Sequence, residues 1–139
     1  MPACGAPAGD EETAMIRKIE ELDLHDKTVF LRVDFNVPID QGKITETHRI
    51  ESALPTIRLI LERARKIIIA SHLGRPDGKV VAKFSLAPVR DYLERSLGQP
   101  VIMAPDCIGA DVERLARESS HRILLLENLR FHREEEKND

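Results

Sequence analysis

Short apolar runs separated by longer amphipathic stretches form the main pattern of this sequence. Four runs rich in β-branched and aliphatic residues predict buried strands, at residues 28–33, 66–70, 101–104 and 122–126. Three stretches carry apolar residues at three- and four-residue spacing and predict helices, at residues 48–64, 85–98 and 111–118. The predicted order of elements is therefore β-α-β-α-β-α-β.

Residues with special backbone preferences refine the ends of these elements. Gln41 and Gly42 predict a turn after the first strand. Ser85 is the predicted N-cap of the second helix, and Gly98 is its predicted C-terminal stop. Pro55 falls inside the first predicted helix, where it is compatible only with the first turns or with a kink.

The apolar strands and the helices between them together predict the fold class. Strands that are apolar on both faces and joined by helices call for a parallel sheet with helices on each side and right-handed crossovers. We therefore expect an α/β fold of three layers, a doubly wound, Rossmann-like and mostly parallel sheet. Residues 1–14 lack this pattern and are expected to form a disordered tail before a structured part at 15–139.

Composition excludes several classes of protein. The net charge of −3 gives no basic field, so neither nucleic acid nor an anionic membrane is expected as a partner. No apolar run approaches the ~20 residues that span a bilayer. Cys4 and Cys107 show no CxxC spacing, which favours free thiols in a reducing cytoplasm and argues against a zinc site or a disulfide framework.

Polar residues follow each predicted strand, at the edge of a parallel sheet where ligands usually bind. They are Asp34 and Asn36 after the first strand, Ser71, His72 and Arg75 after the second, Asp106 after the third, and Glu127, Asn128 and Arg130 after the fourth. Arg49 at the start of the first helix is expected to join them. The segment SHLGRP at 71–76 therefore looks like a loop of a binding site.

Each of these residues also has an ordinary structural explanation. Asp34 and Asn36 commonly tie down loops by local hydrogen bonds, and Gly74 is first of all a turn residue. Arg130 could pair with one of the glutamates at 134–136, a run more typical of a solvated face than of a metal site.

Taken together, His72, Arg75, Arg49 and Arg130 predict a pocket for a small, multiply charged anion, because arginine forks suit carboxylates and phosphates. No GxGxxG, GxxxxGK[ST], GxSxG or HExxH motif is present to support a dinucleotide site, a P-loop, a hydrolase or a zincin.

Six motifs occur together and in order, and they carry a family resemblance. They are LRVDFNVP at 31–38, THRIESALPTI at 47–57, ASHLGRP at 70–76, KFSLAPV at 83–89, DCIG at 106–109 and LLLENLRFHREEEKND at 124–139. From about Leu22 onward the chain resembles the N-terminal domain of phosphoglycerate kinase. The resemblance implies a domain that binds 3-phosphoglycerate and a separate C-terminal domain that binds Mg-ATP or Mg-ADP.

The resemblance also implies roles for individual residues. The implied substrate-binding residues are Asp34, Phe35, Asn36, Arg49, His72, Leu73, Gly74, Arg75 and Arg130. Among them, His72, Arg75 and Arg130 would hold the substrate phosphate, and Asp34 and Asn36 would orient its hydroxyl and carboxylate end. Arg49 would face the phosphoryl group in transfer and is the implied catalytic residue. No metal site and no cofactor site are expected in this chain.

The sequence stops at Asp139 inside a segment that continues in the family. We therefore expect residues 15–139 to be an incomplete N-terminal domain without the nucleotide-binding domain, inactive alone and only marginally stable. The complete enzyme is expected to be a cytoplasmic monomer. Two alternatives stay open, a non-catalytic module that binds an anion or another protein, and a nonfunctional remnant.

Overall fold

A computed structural model describes residues 17–118 and 122–137, so the predicted tail at 1–14 lies outside the described residues. Within these ranges the strands are β1 (Thr28–Arg32), β2 (Ile39–Asp40), β3 (Lys43–Ile44), β4 (Lys66–Ala70), β5 (Ile102–Met103) and β6 (Ile123–Leu125). The α-helices of the same ranges are α1 (His48–Arg63), α2 (Ala87–Leu97), α3 (Ala110–Glu118) and α4 (Glu134–Lys137). Short 3-10 turns occupy Ile19–Glu21, Ala82–Phe84 and Leu129–Phe131. All four predicted strands and all three predicted helices are confirmed, with most strands shorter than the apolar runs.

Four of the strands form one parallel sheet in the order β1-β4-β6-β5. The chain moves from β1 to the adjacent β4, passes over one position to β5, and returns to fill the gap with β6. The connection from β5 back to β6 runs across the sheet in the opposite direction to the earlier connections. A right-handed crossover therefore places its helix, α3, on the other face of the sheet. The topology confirms the predicted doubly wound sheet.

The two faces of the sheet pack against different helices. Ile67, Ile69, Ile123 and Leu125 lie in a core cluster with the buried residues of α1 and α2. The alternate positions Ala70, Leu124 and Leu126 belong to a second cluster with Val112 of α3. The expected three layers are therefore present, because successive residues of a strand point to opposite faces.

The edge strand β1 differs from the expectation of strands that are covered on both faces. Its exposure alternates, and Phe30 on one face is 62% exposed while Val29 and Leu31 on the other face pack against the larger cluster. Arg32 lies on the same face as Phe30 and bonds Glu135 of α4, so this face is only partly covered.

The antiparallel hairpin β2–β3 was not predicted, although its turn was. Gln41 and Gly42 both have positive φ, as the tight turns of hairpins require. Each strand is only two residues long, which is too short to produce a periodic signal in the sequence.

Helix α2 corrects the prediction that Ser85 is an N-cap. The N-cap is Leu86, and its backbone N–H donates to Glu127 Oε1 at 2.9 Å, while the Ser85 hydroxyl donates to Glu127 Oε2 at 2.8 Å. A carboxylate from a distant loop thus holds the start of the helix. Gly98 ends α2 as predicted, in the left-handed conformation with φ of 66°.

Pro55 lies in the interior of α1 on its exposed side, where it cannot donate a backbone hydrogen bond to the carbonyl of Glu51. Within the described residues, no helix is long and apolar enough to cross a membrane.

Candidate functional site

The loops that follow β1, β4 and β6 meet at the carboxyl edge of the sheet, and Asn128 joins two of them. Its side chain is fully buried; the carbonyl oxygen accepts from Leu73 N–H at 3.1 Å and from Arg130 N–H at 3.0 Å. Its amide group donates to the carbonyls of Leu73 at 2.7 Å and Phe84 at 2.9 Å. One side chain therefore fixes the SHLGRP loop against the segment that carries Arg130.

Ser71 connects the third loop to this framework. Its buried hydroxyl accepts from Phe35 N–H and donates to the carbonyl of His72, both at 2.9 Å. The Ser71 carbonyl accepts from Leu129 N–H at 3.0 Å, and Asn36 Oδ1 accepts from Gly74 N–H at 2.9 Å. The three loops after neighbouring parallel strands thus form one hydrogen-bonded unit.

Gly74 permits the close approach of this unit to the turn at 82–84. Its φ is 63°, and a Cβ at this position would lie 2.4 Å from the ring of Phe84. No real Cβ contact is this short, and left-handed φ is costly for residues with a side chain. Phe35 and Leu73 are also nearly or fully buried, so any contact they make with a ligand falls to their backbone atoms.

Arg49 lies on this rim because it is bonded to the first loop. Its Nη1 donates to Asp34 Oδ1 at 3.2 Å and to the carbonyl of Asn36 at 3.0 Å, while half of the side chain is exposed. Asp34 Oδ1 also accepts from Asn36 N–H at 3.1 Å. The local ties expected of Asp34 and Asn36 are confirmed, and they orient the guanidinium of Arg49.

Arg130 pairs with Glu135, so its ordinary explanation is also confirmed. Arg130 Nε donates to Glu135 Oε2 at 2.9 Å, and Arg32 donates to Glu135 Oε1 at 2.5 Å. Burial alone would raise the pKa of Glu135, but the hydrogen bonds from Arg32 and Arg130 outweigh it and lower the pKa. The carboxylate is therefore charged and holds two guanidinium groups at one end of the site.

His72 is influenced by charges from both the Arg130–Glu135 pair and Asp34. Burial lowers its pKa, the positive charge of Arg130 lowers it further, and the charges of Glu135 and Asp34 act in the opposite direction. Its Nδ1 is buried and has no hydrogen-bond partner among the described residues. The imidazole of His72 therefore stays uncharged down to a lower pH than an ordinary histidine, although charged side chains act on it.

Arg75 is an exposed residue of the SHLGRP loop. Its side chain is exposed and forms no hydrogen bond or ion pair with any residue in the described ranges. The structure thus brings His72, Arg130 and the Arg49–Asp34 pair to one edge of the sheet, where the SHLGRP loop also carries Arg75. A cationic site of this kind can bind an anion with several acceptor oxygens.

Acidification is expected to destabilise the fold through His72. Because its pKa is lower in the folded chain than its ordinary value of 6.5, the unfolded chain binds more protons between these two values. The free energy of unfolding should therefore fall as the pH drops through about 6.5, and the loss should be complete below the lowered pKa. Urea unfolding at a series of pH values measures this slope.

The matched variants for this measurement are His72→Asn and His25→Asn. The first should flatten the pH dependence near pH 6.5, and the second should keep it because His25 is an exposed residue outside the site. An unchanged slope in His72→Asn would contradict the assignment.

Several residues matter here whose roles the sequence pattern did not predict. Ser71, Glu127 and Asn128 were placed at strand ends without a role. Arg32 was not singled out, and Glu135 was considered only as one of the glutamates at 134–136 that could pair with Arg130. A polar residue directly after a run of buried aliphatic residues, as in LLLEN, was the available signal for Glu127 and Asn128. Arg32 and Glu135 pair over 103 residues, so no local pattern reveals them.

Comparisons with known proteins agree on one family. The sequence model of the phosphoglycerate kinase family matches residues 19–139. Phosphoglycerate kinase of Syntrophobacter fumaroxidans is 52% identical over 126 residues, which cover 89% of this chain and 32% of the relative. Cytosolic phosphoglycerate kinase of Triticum aestivum is 54% identical over 86% of this chain and 30% of the relative.

Solved structures give the same result. The crystal structure of phosphoglycerate kinase from Pyrococcus horikoshii superimposes with a TM-score of 0.76 at 35% identity, over 86% of this chain and 29% of that chain. The chain spans about a third of the length of the curated relatives that it matches.

Proposed function

Because the chain belongs to the phosphoglycerate kinase family, we propose that it forms the 3-phosphoglycerate-binding part of an enzyme that transfers a phosphoryl group between ATP and this substrate. Transfer from ATP to 3-phosphoglycerate would give ADP and 1,3-bisphosphoglycerate. The observation that carries the proposal is the meeting of His72, Arg130 and the Arg49–Asp34 pair at the carboxyl ends of three neighbouring strands.

The proposed reaction requires no nucleophile from the protein. A carboxylate oxygen of 3-phosphoglycerate forms a bond to the γ-phosphorus of ATP while the bond to the ADP oxygen breaks, so the carboxylate itself attacks. The protein contributes position and charge neutralisation. We assign Arg49 to the transferred group as the catalytic residue, since its bonds to Asp34 and Asn36 hold a half-exposed guanidinium at the rim.

We propose that the substrate phosphate binds at the part of the site that does not contain Arg49. His72, Arg75 and Arg130 are the proposed phosphate-binding residues, with Asp34 and Asn36 near the hydroxyl and carboxylate end. The backbone N–H groups of Leu73 and Gly74 are already bonded within the framework, so they keep the SHLGRP loop in shape. Glu135 balances the charge of Arg130 and Arg32, which limits unselective binding of other anions.

The remaining proposals concern the whole protein. Mg-ATP or Mg-ADP is assigned to a nucleotide-binding domain outside the present sequence, and no residue of this chain is proposed to hold the metal or the nucleotide. Residues 15–139 are proposed as part of the substrate domain of a cytoplasmic, monomeric enzyme that binds neither nucleic acid nor membrane. The acidic net charge of −3 supports the last point.

Calorimetric titration of 3-phosphoglycerate into the chain at low ionic strength tests the proposed site. Saturable binding is expected, and an Arg49→Ala, Arg75→Ala double variant should weaken it about 100-fold or more, because each charged hydrogen bond contributes roughly 1.5–3 kcal/mol.

The control is an Arg95→Ala, Arg117→Ala double variant, which removes the same charge from α2 and α3 and should bind like the unchanged chain. Equal weakening in both variants would indicate unselective attraction of an anion. A folded chain without any binding would show that these residues do not assemble the site by themselves.

A further inference from the structure

Asp106, Cys107 and His132 come together outside the proposed anion site. Asp106 and Cys107 follow β5, and His132 follows the turn after β6, the neighbouring parallel strand. One carboxylate oxygen, the Cys107 sulfur and one imidazole nitrogen all lie within 4.8 Å of one another. His132 Nε2 and Asp106 Oδ1 are 2.7 Å apart.

We propose that these three residues form a binding site for a borderline divalent cation of the zinc class. Thiolate, imidazole and carboxylate are together the protein ligands of Zn²⁺, whereas Mg²⁺ and Ca²⁺ take oxygen ligands. Three protein ligands leave a fourth position of the tetrahedron for water. This proposal does not depend on the proposed kinase function.

The surroundings supply support and access for such an ion. The backbone carbonyl of Asp106 accepts from Glu127 N–H at 3.4 Å, and its side chain accepts from Cys107 N–H at 2.7 Å, which ties the Asp106–Cys107 turn to the loop after β6. Cys107 and His132 line an open cleft of about 420 Å³. Glu134, Glu135 and Arg32 line the same cleft, and Glu135 is the partner of both Arg32 and Arg130.

The ordinary alternative is an ion pair of Asp106 and His132 without a metal. In tetrahedral coordination their ligand atoms would separate to about 3.3 Å, since Zn–N and Zn–O bonds are close to 2.0 Å. This needs only small rotations of two half-buried side chains. In the metal-free arrangement the Cys107 thiol is hydrogen-bonded to Asp106, whereas the cation would use all three residues as ligands.

The sequence expectation of no metal site depended on the absence of CxxC spacing. That criterion detects ligands close in sequence, but His132 is separated from Cys107 by a complete helix and strand. Only the pairing of β5 with β6 brings them together.

Titration of the 139-residue chain with Co²⁺ under a non-thiol reductant tests the site by a spectroscopic signal. One equivalent should produce d–d bands of tetrahedral cobalt and a thiolate-to-cobalt charge-transfer band in the near ultraviolet, and Zn²⁺ should remove both. Amide chemical shifts should change only around residues 104–110 and 129–135.

Three variants decide the outcome. Cys107→Ser should abolish the charge-transfer band, His132→Ala should weaken Co²⁺ binding about tenfold or more, and Cys4→Ser, the matched control, should change neither. The proposal is overturned by the absence of a band in the unchanged chain, by a band that persists in Cys107→Ser, or by one ion per two chains. A band without dispersed amide signals would equally overturn it, because the site requires the folded strand ends.

Discussion

Replacing Asn128 with alanine is expected to lower the free energy of unfolding by about 3–4 kcal/mol, the largest loss at any single position of the site. The change removes four hydrogen bonds from a fully buried side chain. The N–H groups of Leu73 and Arg130 and two backbone carbonyls would lose their partner. Each buried group left unsatisfied costs roughly 1–3 kcal/mol, partly offset by relaxation and by entering water.

Urea unfolding followed by circular dichroism measures this loss. Asn36→Ala is the matched control, because its side chain accepts one bond from a backbone N–H, and about 1 kcal/mol is expected there. A domain of this size is stabilised by only about 5–15 kcal/mol, so the Asn128 variant should unfold at a much lower urea concentration. Equal losses of unfolding free energy in the two variants would show that the four bonds of Asn128 stabilise the fold no more than the single bond of Asn36.

Replacing Gly74 with alanine is expected to cost about 3 kcal/mol. Two effects add: the left-handed backbone costs a non-glycine residue roughly 1 kcal/mol, and the new methyl group would lie 2.4 Å from the Phe84 ring. Relief of that clash requires the partly buried Phe84 ring to move, and overpacked positions typically lose about 1–3 kcal/mol. The unfolding midpoint in urea is the measured quantity.

Gly98 allows the two effects to be separated. Its φ of 66° is almost the same as that of Gly74, but an added Cβ would meet nothing within 4 Å. Gly98→Ala should therefore cost only about 1 kcal/mol. If both alanine variants lost the same stability, the contact of Gly74 with Phe84 would not contribute.

These two positions show how the site is held in place without facing a ligand. Asn128 and Gly74 hold the SHLGRP loop against the segments at 82–84 and 128–130, whereas Arg49 and Arg75 are exposed. Substitutions of the first kind should reduce stability, and those of the second kind should reduce anion binding with little loss of stability.

Local patterns account for the parts of the fold that were predicted correctly. The run KIIIA predicted β4 with its observed bounds, because four consecutive aliphatic residues can be buried only between two layers. Gly98 predicted the end of α2 because glycine adopts the left-handed conformation at little cost. The charged residues at strand ends predicted the rim, since parallel strands direct their carboxyl ends to one edge.

The predictions that failed or were missed have three causes: a partner distant in the sequence, a very short element, and the position of a strand in the sheet. Ser85 is a good cap by type, yet the N-cap is Leu86, and Glu127 binds both residues from a different loop. The hairpin β2–β3 has too few residues to show a period. Phe30 has the apolar character of a buried strand residue, but the position of β1 at the edge of the described sheet leaves it exposed.

The sequence by itself determined the type and order of the main elements, the doubly wound class and, through six motifs, the family. These properties depend on periodicity, backbone preference and residue identity, which are local. Only the tertiary structure decided that Arg32 also pairs with Glu135, that Asn128 joins two loops, and that Cys107 meets His132. Such contacts follow from the order and register of strands, and the buried bonds of Asn128 are costly to lose because water cannot replace the missing partner.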